Sequence, residues 1–140
     1  MTLIRFRDDD VHEEPAVTLD AFLGQSNATS VRLEAGEDAR ALLPHLDRIA
    51  LVEVAFPTYR DGRGYSAARI LREAGYVGEL RAAGDVLIDQ AAHMRRCGFD
   101  AFASEAPLDR AAVDVAIARY PDVYQRAADT RPPAWALRHG

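Results

Sequence analysis

The stretch Leu51-Val52-Glu53-Val54-Ala55-Phe56, continued by Pro57-Thr58-Tyr59-Arg60-Asp61-Gly62-Arg63-Gly64-Tyr65-Ser66, sets the fold class of this chain. Its first part is the most apolar run in the sequence, which is typical of a strand covered on both faces. The second part is a polar, glycine-containing loop that leads into a helical pattern of apolar residues. The sequence therefore predicts a buried strand, a loop at the carboxyl end of that strand, and a helix.

The same alternation of strand, turn and helix continues before this unit. Val31 and Leu33 indicate a strand, and the apolar residues that follow recur at the spacing of one helix face. That face comprises Ala39, Leu42, Leu43 and Leu46. Pro44 falls inside the pattern and is predicted to end or kink the helix, because proline has no N–H to donate.

Three helical patterns and two further strands follow the central unit. The strands are predicted at 80–83 and 99–103, and the apolar helix faces are Ala67, Ile70, Leu71 and Ala74, then Leu87, Ile88, Ala91 and Met94, then Val113, Ala116, Ile117 and Tyr120. Asp85 and Asp109 are predicted to cap the last two helices. Gly75 and Gly98 are predicted to end the first two in the left-handed conformation, each before an aromatic residue that packs over the last turn.

This alternation predicts an α/β fold class. Strands separated by helices of about ten residues run parallel and connect through right-handed crossovers, so we expect about four parallel strands in a single domain. Residues 31–120 form the predicted core, 1–30 an N-terminal arm with a short helix, and 121–140 a C-terminal arm. The pattern leaves two architectures open, an open three-layer sandwich and half of a (β/α)8 barrel.

Composition excludes several classes of protein. The 140 residues carry a formal net charge of -5, which argues against nucleic acid or an acidic membrane as a partner. The absence of lysine excludes Schiff-base chemistry, and the single cysteine, Cys97, excludes a disulfide, a four-cysteine zinc site and an iron–sulfur cluster held by this chain alone. No signal peptide or membrane span is evident, so we expect a cytoplasmic protein.

The N-terminal segment combines an extended pattern with an acidic run. Ile4 and Phe6 alternate with arginines, as in an edge strand or an extended arm. The acids at 8–10 and His12 could be read as metal ligands, but neighbouring side chains of an extended segment point in opposite directions, which favours a solvated turn. No metal site is therefore predicted. Thr18 is predicted to cap a short helix at 19–23.

Polar residues follow three of the predicted strands, and parallel strands bring them to one edge of the sheet. The planar guanidinium of an arginine can donate two hydrogen bonds to a carboxylate, sulfite, sulfate or phosphate, and glycines let the backbone approach a ligand closely. The start of the next helix adds N–H groups that attract anions. The predicted ligand-binding residues are Tyr59, Arg60, Asp61, Arg63, Tyr65, Ser66, Asp85 and Gln90. Ser104 and Glu105 follow the last strand at the same edge.

Structural roles compete with these assignments. Arg60 or Arg63 could instead pair with Asp61, Glu53 or Asp85 and so hold the loop in place. For Asp85 a helix cap is favoured over acid–base chemistry. Cys97 is predicted to be a small buried residue, since a nucleophilic role would need His93, one turn earlier, as its base.

Three runs in the core carry a resemblance to a known family: FPTYRDGRGYSAARILRE at 56–73, GYVGELRAAGDVLIDQ at 75–90 and MRRCGFDAF at 94–102. In order and spacing they resemble the bacterial domain-of-unknown-function family numbered 934, over nearly the whole length after the N-terminal segment. The family motif falls on Arg60, Asp61, Gly62, Arg63, Gly64, Tyr65, Ser66, Arg81, Gly84, Asp85, Asp89, Gln90, Arg96, Cys97, Gly98 and Phe99. The family has no established catalytic residues, so the resemblance implies none here.

The resemblance also implies a functional setting. Members of the family are typically encoded beside assimilatory sulfite or nitrite reductase and are often described as oxidoreductases of sulfite reduction. We therefore expect an accessory protein of that reduction, which binds a small oxyanion or docks on the reductase. No cofactor is predicted, because the chain has no recognisable flavin or nicotinamide motif and cannot hold an iron–sulfur cluster.

Two other functions stay open from the residues alone. One is a stand-alone, barrel-like lyase or isomerase acting on a phosphorylated or carboxylated metabolite, which leaves open whether the protein is an enzyme. The other is a structural subunit whose polar loop only stabilises the fold. An exposed sheet edge would favour a homodimer in any of these cases.

Overall fold

The computed structural model describes residues 2–12, 15–24, 27–57 and 62–119 of the chain. Helices and strands alternate along this part as predicted. In chain order they are β1 (Thr2–Arg5), β2 (Val17–Thr18), α1 (Leu19–Leu23), β3 (Ser30–Leu33), a 3-10 helix (Ala39–Arg48), β4 (Leu51–Phe56), α2 (Arg63–Glu73), β5 (Glu79–Gly84), α3 (Ile88–Cys97), β6 (Ala101–Ser104) and α4 (Arg110–Ala118). The C-terminal arm predicted at 121–140 lies outside the described residues.

A single sheet organises the fold. Its strands lie in the order β1-β6-β5-β4-β3-β2, and all neighbouring pairs are parallel except β1 with β6. The predicted α/β class and the edge strand at the N-terminus are confirmed. Within the described residues the sheet has six strands. Besides the four predicted parallel strands, the sheet contains β1, which the sequence indicated as an edge strand or an extended arm. It also contains the two-residue strand β2, which is too short for an apolar pattern to predict.

The winding of the sheet separates the two architectures that the sequence left open. From β2 to β6 each strand lies next to its predecessor, so right-handed crossovers place the connecting helices on one face. The core agrees with this arrangement, because alternate strand residues such as Val54 and Leu80 share one cluster with Leu71 of α2 and Met94 of α3. The winding is that of half a (β/α)8 barrel and differs from a three-layer sandwich.

The ends of α2 and α3 follow one design, as predicted. Gly75 and Gly98 adopt φ values of 96° and 116°, which glycine tolerates and other residues rarely do. The N–H of each glycine bonds to the carbonyl three residues back, and the N–H of the following aromatic bonds five residues back, at 3.0 to 3.1 Å. Tyr76 and Phe99 are buried over these turns. This hydrogen-bonded stop returns each helix directly toward the next strand.

Two of the three predicted caps are confirmed. The side chains of Thr18 and Asp109 accept hydrogen bonds from the N–H groups of Ala21 and Ala111. The cap predicted at Asp85 is wrong, because α3 begins at Ile88.

The segment around Pro44 also differs from the prediction. It winds as a 3-10 helix through the proline and ends only at Arg48. Pro44 has no N–H for an α-helical bond, and three residues per turn replace the predicted period. As a result Leu42 is buried whereas Leu43 is 37% exposed.

Candidate functional site

The structure places five of the eight predicted site residues near the carboxyl ends of β4 and β5. These five are Arg63, Tyr65, Ser66, Asp85 and Gln90. The other three, Tyr59, Arg60 and Asp61, lie outside the described residues. The carboxyl edge of the sheet is thus where the predicted loop begins and where α2 and α3 start.

Arg63 is the first residue of α2, and its side chain is exposed. Its guanidinium lies against Gly36, in the turn after β3, where an added Cβ would come within 3.0 Å of Nη1. Gly36 also has a φ of 86°, so both the backbone and the arginine favour glycine there. Arg63 therefore presents its charge between the carboxyl ends of β3 and β4.

The start of α2 is positively polarised. Gly62 occupies the N-cap position and has no side chain with which to accept the first free N–H groups. The first turn contains no acidic residue, and it contains Arg63. The helix dipole and a guanidinium thus act in the same direction, which favours a negative group at this position.

The two glycines of the predicted loop have different roles. A Cβ on Gly62 would meet nothing within 4 Å, whereas a Cβ on Gly64 would lie 2.5 Å from the ring of Phe56. Gly64 is buried and lets α2 pack closely on β4. The interpretation of Gly64 as a residue that admits a ligand is therefore wrong, because its missing side chain makes room for an aromatic ring.

Tyr65 packs into the helix layer. Its ring lies 5.4 Å from that of Phe56 and 4.6 Å from that of His93, measured between centroids. Burial, with a smaller effect of Cys97, raises the pKa of Tyr65. Ser66, the next residue, is exposed on α2. Of the two residues, Tyr65 thus belongs to the contact between α2 and α3.

Asp85 directly continues β5. Its N–H donates to the carbonyl of Phe56 at 2.9 Å, and the N–H of Val86 donates to the carbonyl of Gly84 at 3.1 Å. The first bond continues the pairing with β4 and the second closes a tight turn, so the chain turns after Asp85 before α3 begins at Ile88. Gly84 has a φ of 112°, and a Cβ there would lie 2.5 Å from the Phe56 carbonyl oxygen. Asp85 is half-buried at the carboxyl edge.

Gln90 and the end of β6 complete this edge. Gln90 is half-buried in the first turn of α3, and its N–H donates to the carbonyl of Leu87 at 3.0 Å. Ser104 is buried, and its hydroxyl donates to the carbonyl of Val86 at 3.4 Å, so it stabilises the turn after β5. Glu105 is exposed, with its N–H held by the carbonyl of Gly84.

A second polar region, at the amino edge of the sheet, was not predicted. Glu79, the first residue of β5, is fully buried and binds Arg5 at 2.6 Å and Arg81 at 2.7 Å. Asp100, just before β6, is buried and binds Arg7 at 2.6 Å and Arg72 at 3.2 Å. It also accepts the N–H of Leu80 at 2.8 Å. Two buried carboxylates are thus each held between two arginines.

Further pairs surround these two carboxylates. Asp9 lies 2.7 Å from Arg5 and 2.8 Å from Arg7, and both arginines hold its pKa well below the usual range, Arg7 most strongly. Glu53 pairs with Arg32 and lies 3.9 Å from Arg81. Glu53 thus contacts arginines of both neighbouring strands, β3 and β5. We call this set the amino-edge network; its members are Arg5, Arg7, Asp9, Arg32, Glu34, Glu53, Arg72, Glu79, Arg81 and Asp100.

The sequence does contain a signal for the amino-edge network. Glu79 stands just before the strand predicted at 80–83, and Asp100 is the second residue of the strand predicted at 99–103. Parallel neighbours bring the starts of such strands together. That Arg5 pairs with a carboxylate at this edge could be predicted only if one knew that β1 runs antiparallel along β6. The register of β1 with β6, which pairs Arg5 with Ala101, supplies that information.

The acidic run at the N-terminus forms a bend, as predicted, and Asp9 binds the guanidinium groups of Arg5 and Arg7. Throughout the part of the chain that the structure describes, no three His, Cys, Asp or Glu side chains gather closely enough to hold a metal ion. In the same ranges no helix combines the length and apolarity needed to cross a membrane.

Cys97 is buried near the end of α3, as predicted. Its sulfur lies 3.8 Å from Nε2 of His93, so the structure does bring the two side chains together. Burial raises the pKa of the Cys97 thiol, although Arg69 and Arg96 act in the opposite direction. A raised pKa keeps the thiol protonated near neutral pH, which disfavours a nucleophilic role.

A comparison with protein families identifies the chain's relatives. The model of a family described as a bacterial protein of unknown function, DUF934, matches residues 30–135. The chain belongs to the DUF934 family. The resemblance found in the sequence is thereby confirmed. The DUF934 match covers β3 to α4, including Glu79 and Asp100, and begins after β1, which carries Arg5. Neither a curated protein nor a solved structure matches the chain.

Proposed function

We propose that this DUF934 protein is an accessory component of assimilatory sulfite or nitrite reduction that binds a small oxyanion at the start of α2. The observation that carries the binding site is the exposed guanidinium of Arg63 in the first turn of an α-helix whose N-cap is glycine. The functional setting comes from the resemblance to a family whose members are typically encoded beside assimilatory sulfite or nitrite reductase. Sulfite, sulfate and nitrite all offer the charged oxygens that such a site recognises.

Electrostatics supports this choice of ligand. A helix N-terminus carries about half a positive charge, so an arginine in the first turn raises the local potential further. An oxyanion bound there would accept hydrogen bonds from the backbone N–H groups of the first turn and from the guanidinium of Arg63. The carboxyl edge of a parallel sheet is also where ligands bind in this class of fold. The proposed role is therefore binding or delivery of an anion.

The proposed role does not include electron transfer by this chain. With one cysteine, Cys97, and no recognisable flavin or nicotinamide motif, the sequence offers no means of carrying electrons alone. An accessory protein would instead dock on the reductase. Co-purification with sulfite reductase at low salt would support this docking, and two purified proteins that fail to associate at low salt would contradict it.

Thermal unfolding with a panel of anions tests the binding site. Sulfite, sulfate, nitrite and phosphate are compared with chloride at equal ionic strength, which separates binding from screening. At tenfold excess over Kd a ligand stabilises by about 1.4 kcal/mol, which corresponds to a rise in Tm of about 5 °C for a domain of this size. Arg63→Gln should lose this rise.

Arg40→Gln is the matched control for Arg63→Gln. Arg40 is an exposed arginine on the 3-10 helix, and its only ion pair among described residues is a 3.9 Å contact with Asp38. We expect this variant to keep the full response to anions. An equal response of Arg63→Gln and wild type, or no oxyanion exceeding chloride, would contradict the proposal.

The winding of the sheet favours a second candidate, a stand-alone lyase or isomerase. A half-barrel order of strands is the arrangement in which many enzymes bind phosphorylated or carboxylated metabolites at the carboxyl edge. In that case phosphorylated metabolites should raise Tm at far lower concentrations than inorganic phosphate. Equal potency of the two would favour the accessory role.

A further inference from the structure

Five side chains meet between α2 and α3, and Arg63 is not among them. Tyr65 and Arg69 come from α2, and His93, Arg96 and Cys97 come from α3. Nη2 of Arg96 lies 3.5 Å from Nδ1 of His93, and Nε2 of His93 lies 3.8 Å from the Cys97 sulfur. The ring of Tyr65 covers His93, and the guanidinium of Arg69 lies beside the Cys97 sulfur. We call this group the interhelix cluster.

The charge of the interhelix cluster is positive on both sides of His93. Arg69 and Arg96 are exposed, and His93 is half-buried between them. Among the ion pairs of the described residues, none joins Arg69 to a carboxylate. Burial, then Arg96 and Arg69, lowers the pKa of His93. Two like charges are thus directed at a group that can itself become a cation.

We propose that the interhelix cluster is a second binding site for a small oxyanion of the sulfate or phosphate class, held between the guanidinium groups of Arg69 and Arg96. The imidazole of His93 lies between them and can donate to the same anion when protonated. Tyr65 forms a wall, and the buried Cys97 closes the inner side. This site is separate from the one proposed at Arg63 and does not depend on it.

Binding at this site is coupled to the protonation of His93. From α2 the groups that face His93 are Tyr65 and Arg69, and from its own helix they are Arg96 and Cys97. An anion between the arginines offsets the charge that disfavours imidazolium, so it raises the pKa of His93. By linkage the anion binds more tightly as pH falls through that pKa.

NMR titration of His93 in the full chain tests the proposal. The chain has four histidines, so the variant His93→Gln identifies the imidazole signal of His93. Titrations in sodium sulfate and in sodium chloride of equal ionic strength separate anion binding from screening. In wild type we expect sulfate to raise the pKa of His93 by about one unit relative to chloride, the size typical of a neighbouring opposite charge.

Two variants locate the anion. Arg69→Gln should abolish the difference between sulfate and chloride, and because Arg69 is exposed this variant should keep the fold, which circular dichroism checks. Arg63→Gln should leave the difference unchanged. Equal pKa values of His93 in the two salts, or a difference that survives in Arg69→Gln, would overturn the proposal. A difference lost in Arg63→Gln would also overturn it, because the anion would then act from the start of α2.

Discussion

The amino edge and the carboxyl edge of the sheet differ in whether their charged side chains are buried or exposed. At the amino edge, Glu79 and Asp100 are buried and each carboxylate is bound by two arginines. At the carboxyl edge, Arg63 is exposed at a helix N-terminus that already carries positive potential. In the first arrangement, two carboxylates are buried against arginines. In the second, the guanidinium of Arg63 is exposed to solvent, where a ligand can reach it.

The presence of many charged residues does not by itself locate a ligand-binding site in this protein. The amino-edge network contains five arginines and five acids, so its charges balance; the arginines are Arg5, Arg7, Arg32, Arg72 and Arg81, and the acids are Asp9, Glu34, Glu53, Glu79 and Asp100. Balanced pairs, the innermost of which are built on the buried carboxylates Glu79 and Asp100, connect neighbouring chain segments. A functional cation is better recognised by its exposure and by the potential around it.

Removing Asp100 should have the largest effect on stability. Asp100→Ala leaves Arg7 and Arg72 without their shared carboxylate and the N–H of Leu80 without its acceptor. We expect a loss of about 3–5 kcal/mol in the free energy of unfolding, measured by urea denaturation. Asp114→Ala, which breaks an exposed pair with Arg110, is the control and should cost about 0.5 kcal/mol.

If Asp100→Ala does not fold, Asp100→Asn provides the measurement. It keeps an oxygen for the N–H of Leu80 while removing the charge, so it should be less destabilised than the alanine variant. A loss no greater than that of Asp114→Ala would contradict the assignment of the amino edge as the structural one.

Adding a methyl group to Gly64 should have the next largest effect. The Cβ of Gly64→Ala would lie 2.5 Å from the ring of Phe56, so α2 or the ring must move. We expect a cost of about 1–3 kcal/mol in urea denaturation. Gly62→Ala, where the new Cβ meets nothing within 4 Å, should stay within about 1 kcal/mol of wild type. Equal losses in the two variants would show that Gly64 does not set the packing of α2.

Lowering the pH should reduce the contribution of Asp9 to the free energy of unfolding. Its pKa is lowered in the folded state by Arg7 and Arg5, so its stabilisation is complete above the unfolded pKa of about 3.9 and is lost as pH falls toward the folded value. Because the side chain is 41% exposed, screening limits the effect to about 1 kcal/mol or less. Asp9→Asn should be less stable than wild type at pH 7, and the gap should narrow at pH 3. A gap of the same size at both pH values would exclude this role.

Arg63→Gln should have the smallest effect on folding. The residue is exposed at the carboxyl edge, and substitutions at such positions usually change stability by no more than about 0.5 kcal/mol. Urea denaturation without added anion measures this directly. A loss of 2 kcal/mol or more would instead support a structural role for the loop, and the contrast between the two edges would disappear.

Much of the fold could be predicted from the sequence because its signals are local. Apolar runs specify β4 and β5, and the pairs Gly75-Tyr76 and Gly98-Phe99 specify how two helices end. The predictions were wrong where a contact with a residue distant in sequence determined the structure in place of the local pattern. The sequence predicts Asp85 as a helix cap, but its N–H donates a hydrogen bond to the carbonyl of Phe56, a residue on the adjacent strand. No spacing within one segment reveals such a bond.

The candidate site was predictable in part for the same reason. A helix after the buried strand follows from the pattern around it, but the sequence predicted the loop to continue to Ser66, whereas α2 already begins at Arg63. The role of Gly64 does not follow from that pattern, since the ring that fills its missing side chain comes from the preceding strand. Tyr65 is likewise assigned to the helix layer only by its contact with His93, which is distant in sequence.

The sequence by itself therefore determined the α/β class, the parallel strands from β3 to β6 and the presence of a helix after β4, because apolar periodicity and glycine stops act within a few residues. Only the tertiary structure decided which charges are buried, which face each other and which reach solvent. Burial and pairing depend on distances between remote segments, as between Arg5 and Glu79. The two edges of one sheet differ for that reason, although the chain supplies arginines and acids to both.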